Sequence, residues 1–206
     1  KDLKRLRISS IEATELTDEV LEVIKESNVI VDHLHIPLQA GSDEILKAMN
    51  RKYDLAYFFK KIEDIRKIRP NISITTDVIV GFPGETRELF EKTIETCRKL
   101  EFAKIHVFPY SERKGTKAIE LPNHVDPSEK KSRARELLLV SKELEIAYAE
   151  KFIGKTEEVL IEENKDDYSL GHTSNYLHVK IPRTIKPNTF VSVTIKEVEY
   201  PYCLGE

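Results

Sequence analysis

The sequence contains few of the residues that build metal clusters and disulfide frameworks. Its 206 residues include two cysteines, Cys97 and Cys203, one methionine and no tryptophan. Two cysteines separated by most of the chain give neither a disulfide framework nor the spacing of a metal site, which is typical of a reducing compartment. Cys97 is in step with Phe90 and Ile94 on a predicted helix, so we expect it in the core.

Long apolar runs and a large excess of one charge are also missing. No apolar stretch approaches the ~20 residues that cross a bilayer, and the first residues, KDLKRLRISS, lack the apolar centre of a signal peptide. We therefore expect a cytoplasmic protein with no membrane partner. A formal net charge of -3 disfavours a generally basic protein that coats nucleic acid, although it allows a local basic surface.

Strands and helices alternate through the first 125 residues. Strands are predicted at 6–11, 29–38, 72–80 and 104–110, and helices after the capping residues Thr17, Ser42, Asp54 and Thr86. This alternation predicts an α/β fold with a parallel sheet, either open or curved into a barrel, and a site at the carboxyl ends of the strands. The polar residues at those ends are Glu12, His35, Gln39, Asp77, Tyr110 and Ser111.

The segment ISITTDVIVGFPGET, residues 72–86, lies at the centre of this pattern. Its alternation places Ser73, Thr75 and Asp77 on one face of a strand and apolar residues on the other. Gly81 and Gly84 then allow a sharp turn or a close approach of the backbone to a ligand. The segment is either one wall of a binding site or an ordinary capped turn between a strand and a helix.

The remaining 81 residues change pattern. Asp126 and Pro127 predict the start of a long helix that continues to Phe152. The stretches TEEVLIEE, YLHVKIP and FVSVTIKEVE then predict a small antiparallel barrel. Residues 171–196 carry four basic residues and no acid. We predict three parts: an α/β domain at 1–125, a connecting helix at 126–153, and a small β domain at 154–206.

His33 and His35 are two residues apart and share one face of a predicted strand, which could suggest a metal pair. No third ligand lies at a recognisable spacing, and histidines at strand ends are common in proteins without metal. The sequence therefore predicts no metal site.

Three ordered segments, HLHIPLQAGSDEILKAMNRKY, TTDVIVGFPGET and HVFPYSERKGT, resemble the radical S-adenosylmethionine methylthiotransferases. RISSIEA before them and GHTSNYLHV after them are more similar to the branch acting on tRNA N6-threonylcarbamoyladenosine than to the isopentenyladenosine or ribosomal-protein branches. The resemblance implies a partial (β/α) barrel, entered here at its third strand, followed by a TRAM domain, which is a small RNA-binding barrel. It also implies tRNA and S-adenosylmethionine as partners.

The resemblance implies a set of cofactor-binding residues. Gln39 and Ser42 correspond to positions near the ribose and amino acid portions of S-adenosylmethionine, and Arg51 to a partner of its carboxylate, although Arg51 could equally be a solvated charge. Residues 77–81 resemble a loose GxIxGxxE motif, with Asp77 in place of the first glycine and Glu85 one position late. The remaining implied contacts are Glu12, Gly81, Phe108 and Tyr110.

Residues 171–176 resemble the TRAM loop that meets RNA. The implied RNA contacts are His172, Asn175, Tyr176, Lys180 and Arg183, with Tyr176 as a stacking surface and the two cations on phosphate. A turn that leads into a strand is the competing interpretation of the same residues.

The family's radical chemistry needs a CxxxCxxC loop that holds a 4Fe-4S cluster, and this sequence has none. The resemblance therefore implies the C-terminal fragment of an enzyme that binds S-adenosylmethionine and 4Fe-4S clusters when whole. We expect these residues alone to be inactive, with no catalytic residue among them. The alternatives are a non-catalytic RNA-binding module and, less favoured, an unrelated barrel enzyme.

Overall fold

The computed structural model describes residues 3–206, and its first part is a four-stranded parallel sheet covered by helices. The elements are β1 (Leu6–Ile8), α1 (Asp18–Glu26), β2 (Ile30–His35), α2 (Asp43–Ala48), α3 (Leu55–Ile68), β3 (Ser73–Val80), α4 (Arg87–Leu100) and β4 (Lys104–Pro109). The strands lie in the order β1-β2-β3-β4, so the predicted parallel sheet is confirmed. The first strand is shorter than predicted.

Four of the five predicted helix caps form. Side-chain oxygens of Thr17, Asp54, Thr86 and Asp126 accept backbone N–H groups at the first turn of their helices. Ser42 differs, because it precedes α2 but its hydroxyl makes no capping bond. Ser42 thus lies at the predicted capping position, but the predicted capping bond is wrong, since its buried hydroxyl has no hydrogen-bond partner among the described residues.

The second part is α5 (Pro127–Glu150) followed by a closed five-stranded barrel. The barrel strands are β5 (Thr156–Lys165), β6 (Tyr168–Thr173), β7 (His178–Ile181), β8 (Phe190–Glu199) and β9 (Tyr202–Gly205), in the order β5-β6-β7-β9-β8. The barrel is not purely antiparallel as predicted, because β7 and β9 run parallel. Gly171 in β6 allows a close approach of two strands, since a Cβ there would lie 2.1 Å from the carbonyl oxygen of Leu160.

The chain has two hydrophobic cores, and α5 contributes to both. Its N-terminal half places Ala134, Leu137 and Val140 in the core of the sheet. Its end places Tyr148 and Ala149 in the core of the barrel, where Ala103 of the sheet also packs. The helix therefore joins the core of the sheet to that of the barrel.

Polar contacts hold the two parts together around a cleft of about 480 Å³. The Arg5 guanidinium donates to the carbonyl oxygens of Glu158 (2.7 Å) and His172 (2.9 Å). The Tyr148 hydroxyl donates to the Asn71 carbonyl at 2.7 Å. Within residues 3–206, none of the helices combines the length and apolar character needed to cross a membrane.

Candidate functional site

Three polar side chains from neighbouring strands meet at the open face of the sheet. His35 ends β2, Asp77 lies in β3, and His106 lies opposite Asp77 in β4. The His35 Nε2 atom is 3.3 Å from an Asp77 carboxylate oxygen, and one ligand atom from each of the three residues lies within 4.8 Å of the others. The Thr75 hydroxyl is 3.0 Å from the second ring nitrogen of His35. We call His35, Asp77 and His106 the strand-end triad.

Two histidines beside the cleft, His33 and His106, are held towards their neutral form. Burial lowers the pKa of His33 to about 4, and the nearby charge of Arg7 acts in the same direction. Burial also lowers the pKa of His106, although the charge of Asp77 opposes the shift. Neutral imidazole rings can accept hydrogen bonds or bind a cation, which protonated rings cannot do.

An aromatic row forms the barrel side of the cleft. The rings of His172 and His178 stack with centroids 4.6 Å apart, and Tyr176 stacks on His172 at the same separation. Tyr202 meets His178 edge-on at 4.7 Å, and the Arg7 guanidinium lies 4.9 Å from the centre of the Tyr176 ring. The strand register produces this row, because His172 pairs with His178 across β6 and β7. We call Tyr176, His172, His178 and Tyr202 the aromatic row.

The predicted RNA-binding residues separate into two groups. His172, Asn175 and Tyr176 line the cleft, whereas Lys180 and Arg183 do not, and Tyr176 is 41% exposed. Asn175 is buried, and its side-chain oxygen accepts a hydrogen bond from the Thr173 hydroxyl, as a turn requires. The Lys180 ammonium lies 4.5 Å from the centre of the Tyr168 ring, and Arg183 is exposed in the loop after β7. Residues 174–177 therefore form a turn that also displays an aromatic side chain.

The predicted cofactor-binding residues lie near the strand ends, with different surroundings. Arg51 donates to the Glu12 carboxylate at 3.3 Å, so these two form a partly exposed ion pair. The N–H of Gln39 donates to the Asp77 carbonyl at 2.8 Å, and its own carbonyl accepts from the N–H of Ile79, which joins this segment to β3. Ser42 is buried, and its hydroxyl has no hydrogen-bond partner among the described residues.

The turn after β3 is fixed by protein groups. Gly81 has a φ of +73°, and its N–H donates to a Glu85 carboxylate oxygen at 2.6 Å. Arg133 of α5 donates to the same oxygen at 2.8 Å. A Cβ on Gly81 would lie 2.4 Å from the Cγ atom of Lys130. These contacts require glycine at this position for packing, independent of any ligand.

Two predicted cofactor-binding residues, Phe108 in β4 and Tyr110 just after it, differ in their exposure to solvent. Phe108 is half-exposed, whereas the Tyr110 ring packs edge-on against Phe82 with centroids 5.1 Å apart. The Tyr110 hydroxyl is buried and has no hydrogen-bond partner among the described residues. Like the hydroxyl of Ser42, it is a polar atom that the protein itself leaves unpaired.

The cysteines do not fit an iron-sulfur cluster. Cys97 is buried in the core of the sheet and Cys203 in the core of the barrel. Burial raises the pKa of Cys97 to about 12 and that of Cys203 to about 11, so both remain thiols at neutral pH. A cluster needs several thiolates directed at one point, and these residues cannot provide them.

The sequence also matches known proteins. Residues 3–97 match the profile of the radical SAM superfamily. Over 99% of its length the chain is 40% identical to the threonylcarbamoyladenosine tRNA methylthiotransferase MtaB of Bacillus subtilis, covering 47% of that protein. Over nearly its whole length the chain is thus similar to tRNA methylthiotransferases, and residues 3–97 carry the radical SAM match. A second relative, the tRNA-2-methylthio-N(6)-dimethylallyladenosine synthase of Desulfitobacterium hafniense, is 38% identical over 99% of the chain and is covered to 46%.

The chain thus spans about half the length of the curated relatives that it matches. Its fold is similar to that of coproporphyrinogen III oxidase (HemN) from Escherichia coli, described as a radical SAM enzyme. The TM-score is 0.57 with 17% identity, over 82% of this chain and 44% of that protein. At this identity the similarity concerns the fold alone.

Sequence reasoning missed several residues of the cleft. His106 was present in the segment HVFPYSERKGT, but no rule of spacing connected it to His35 and Asp77. Tyr202 lies in β9, a strand that was not predicted, and Arg7 lies in β1 far from the barrel in sequence. Only His178 carried a usable signal, because its alternation with Lys180 in LHVKI places both on one face of a strand.

Proposed function

We propose that this chain belongs to an enzyme that adds a methylthio group to N6-threonylcarbamoyladenosine in tRNA, and that its cleft holds the nucleoside. The observation that carries the proposal is the 40% identity to a protein named for this reaction over 99% of the chain. The cleft adds a physical reason, because stacked aromatic rings and an arginine line one wall of it. Unpaired bases stack on such surfaces.

The cleft and its surroundings have distinct roles in this proposal. The aromatic row stacks on a base that has left the tRNA helix, and Lys180 and Arg183, which lie outside the cleft lining, meet phosphates. The proposed wall for S-adenosylmethionine also lies outside the cleft lining and comprises Glu12, Gln39, Ser42, Arg51, Asp77, Gly81, Phe108 and Tyr110. Arg51 is the residue that would hold the cofactor's carboxylate, in exchange for its contact with Glu12. The unpaired hydroxyls of Ser42 and Tyr110 are two further donors on this wall.

Binding to an anticodon stem-loop that carries N6-threonylcarbamoyladenosine tests the role of the aromatic row. Fluorescence anisotropy should show that Tyr176→Ala weakens binding by about 5- to 150-fold, the loss of one stacked base. Tyr57→Ala is a matched control, since Tyr57 is similarly exposed at 38% but lies on α3 outside the cleft. Equal losses in the two variants would contradict a role for the row.

Affinities for three anticodon stem-loops, which differ only in the modification of one adenosine, distinguish the candidate substrates. We expect the threonylcarbamoyl form to bind more tightly than the isopentenyl form and the unmodified form. A preference for the isopentenyl form would instead support the reaction named for the Desulfitobacterium relative. Equal, strongly salt-dependent binding of all three and of an unrelated polyanion would mean that only charge is recognised.

We also propose that these 206 residues transfer no methylthio group by themselves, because their two buried thiols cannot hold the cluster that the reaction requires. The RNA-binding module is the alternative function for such a chain, and the binding experiments above test it directly. Mass spectrometry of tRNA incubated with the chain, S-adenosylmethionine and a reductant should show no methylthio product. A methylthio product in this reaction would refute the proposal.

A further inference from the structure

We propose that the strand-end triad is a binding site for a divalent transition-metal ion. His35, Asp77 and His106 supply two imidazole nitrogens and one carboxylate from three adjacent parallel strands. This combination of ligands suits zinc, iron, cobalt or nickel better than magnesium or calcium, which prefer oxygen atoms alone. Among residues 3–206, it is the one group of three such ligands within reach of a single ion.

The distances fit a metal site that needs only side-chain movement to close. Metal–ligand bonds of about 2.0–2.1 Å in a tetrahedral site place neighbouring ligand atoms about 3.3 Å apart. The His35 Nε2 atom and the Asp77 oxygen are 3.3 Å apart. His106 completes the group within 4.8 Å, and its ring lies beside that of His35 with centroids 5.6 Å apart.

The surroundings of His35 also suit a ligand. The Thr75 hydroxyl oxygen lies 3.0 Å from Nδ1 of His35, so it can accept a hydrogen bond from Nδ1–H in the tautomer whose Nε2, facing Asp77, carries no proton. Such a hydrogen bond behind the ring fixes the orientation of metal-binding histidines. Thr75 is therefore a positioning residue for the site.

The proposed ion would have an open coordination position on the side of the cleft. His35 and His106 both line the cleft, and three protein ligands leave a fourth tetrahedral position for water or for a donor atom of a bound molecule. The metal site includes no residue of the aromatic row, so a variant can lose metal binding and keep RNA binding, or the reverse. Asp77 also belongs to the predicted S-adenosylmethionine wall, so metal binding is measured in the absence of S-adenosylmethionine.

Cobalt(II) titration of the tag-free chain, after removal of metal with a chelator, tests the site directly. We expect one ion per chain, visible absorption from cobalt bound by nitrogen and oxygen, and displacement by zinc. His106→Ala should weaken binding by more than about 100-fold, because it removes a ligand, whereas Thr75→Val should weaken it by about 10- to 100-fold. His106 is exposed, so its variant is expected to fold, and circular dichroism verifies this.

His124→Ala is the matched control. The His124 ring nitrogen lies 3.3 Å from a Glu112 carboxylate oxygen, the same separation as His35 and Asp77, but residues 3–206 supply no third ligand within reach of the same ion. Unchanged binding in this variant, with loss in His106→Ala, would support the site. The proposal is overturned if the chain binds no cobalt or zinc, or if His106→Ala binds as tightly as the unmodified chain.

Discussion

Glu85 and Arg133 form the most deeply buried ion pair among the described residues. Their side chains are 0% and 6% exposed, and the Arg133 Nη1 atom is 2.8 Å from the Glu85 carboxylate. The same carboxylate accepts the Gly81 N–H, and burial raises its pKa although Arg133 and Gly81 oppose the shift. One carboxylate thus connects the turn after β3 to α5.

Arg133→Met should destabilise the protein by about 3–5 kcal/mol, because it leaves the Glu85 charge buried without its partner. Urea unfolding at neutral pH measures the effect. The control is Arg98→Met, which breaks the 2.7 Å ion pair with Glu143, where both side chains are at least half exposed. That change should cost less than about 1 kcal/mol. Similar losses in both variants would show that burial of the Glu85 pair is not what stabilises the turn.

The same turn shows what sequence can and cannot predict about single residues. Gly81 is predicted to allow a sharp turn or a close approach of the backbone to a ligand, and its positive φ confirms the turn. Its packing against Lys130 could not be predicted, because Lys130 lies on a helix almost fifty residues later in the sequence. The strand-end triad was missed for the same reason, since its members meet only when three strands are side by side.

Among the larger elements, α5 also protects the edge of the parallel sheet. β4 is an edge strand, and such strands present unpaired backbone groups. The Ser141 hydroxyl accepts from the N–H of Ile105 at 2.9 Å and donates to its carbonyl at 3.1 Å. One buried hydroxyl therefore satisfies both backbone groups of a buried residue.

Ser141→Ala should destabilise the protein by about 1–3 kcal/mol, because it leaves the Ile105 N–H and carbonyl without partners. The expected change is a lower midpoint of urea unfolding with an unchanged slope. Ser132→Ala, on an exposed position of the same helix, controls for the change in helix propensity and should have little effect. If the two variants unfold alike, the contact with β4 contributes nothing measurable.

Local rules predicted the helices better than the barrel strands. The caps Thr17, Asp54, Thr86 and Asp126 depend on a few neighbouring residues, and all four form. In contrast, β6 and β9 were missed. They are short, end near turns, and depend on partners distant in sequence, with β9 paired in parallel to β7. Closure of a barrel is a tertiary property that the alternation within one segment does not specify.

For the molecule as a whole, α5 links the stability of the sheet to that of the barrel. Leu137 is fully buried in the core of the sheet, and Tyr148 and Ala149 are buried in the core of the barrel, where Phe152 just beyond the helix also packs. Neither core remains complete if the helix separates from it. We therefore expect the two parts to unfold together.

The reactivity of each cysteine measures the unfolding of one core, since Cys97 lies in the core of the sheet and Cys203 in that of the barrel. Cys97 and Cys203 are both buried, and burial raises their pKa values to about 12 and 11, so native thiols should react slowly with alkylating reagents at pH 8. Pulse alkylation at increasing urea concentrations, followed by mass spectrometry of the two cysteine peptides, should give the same midpoint for both. Labelling of Cys203 at lower urea would mean that the barrel opens by itself.

Phe152→Ala makes this test sharper, because Phe152 packs only in the barrel core and its truncation should cost about 3–5 kcal/mol. If the parts are coupled through α5, the midpoints of Cys97 and Cys203 should fall together, although Cys97 is in the other core. A shift confined to Cys203 would contradict the coupling. The coupling matters for the cleft, because its two walls belong to different cores and keep their spacing only while both remain folded.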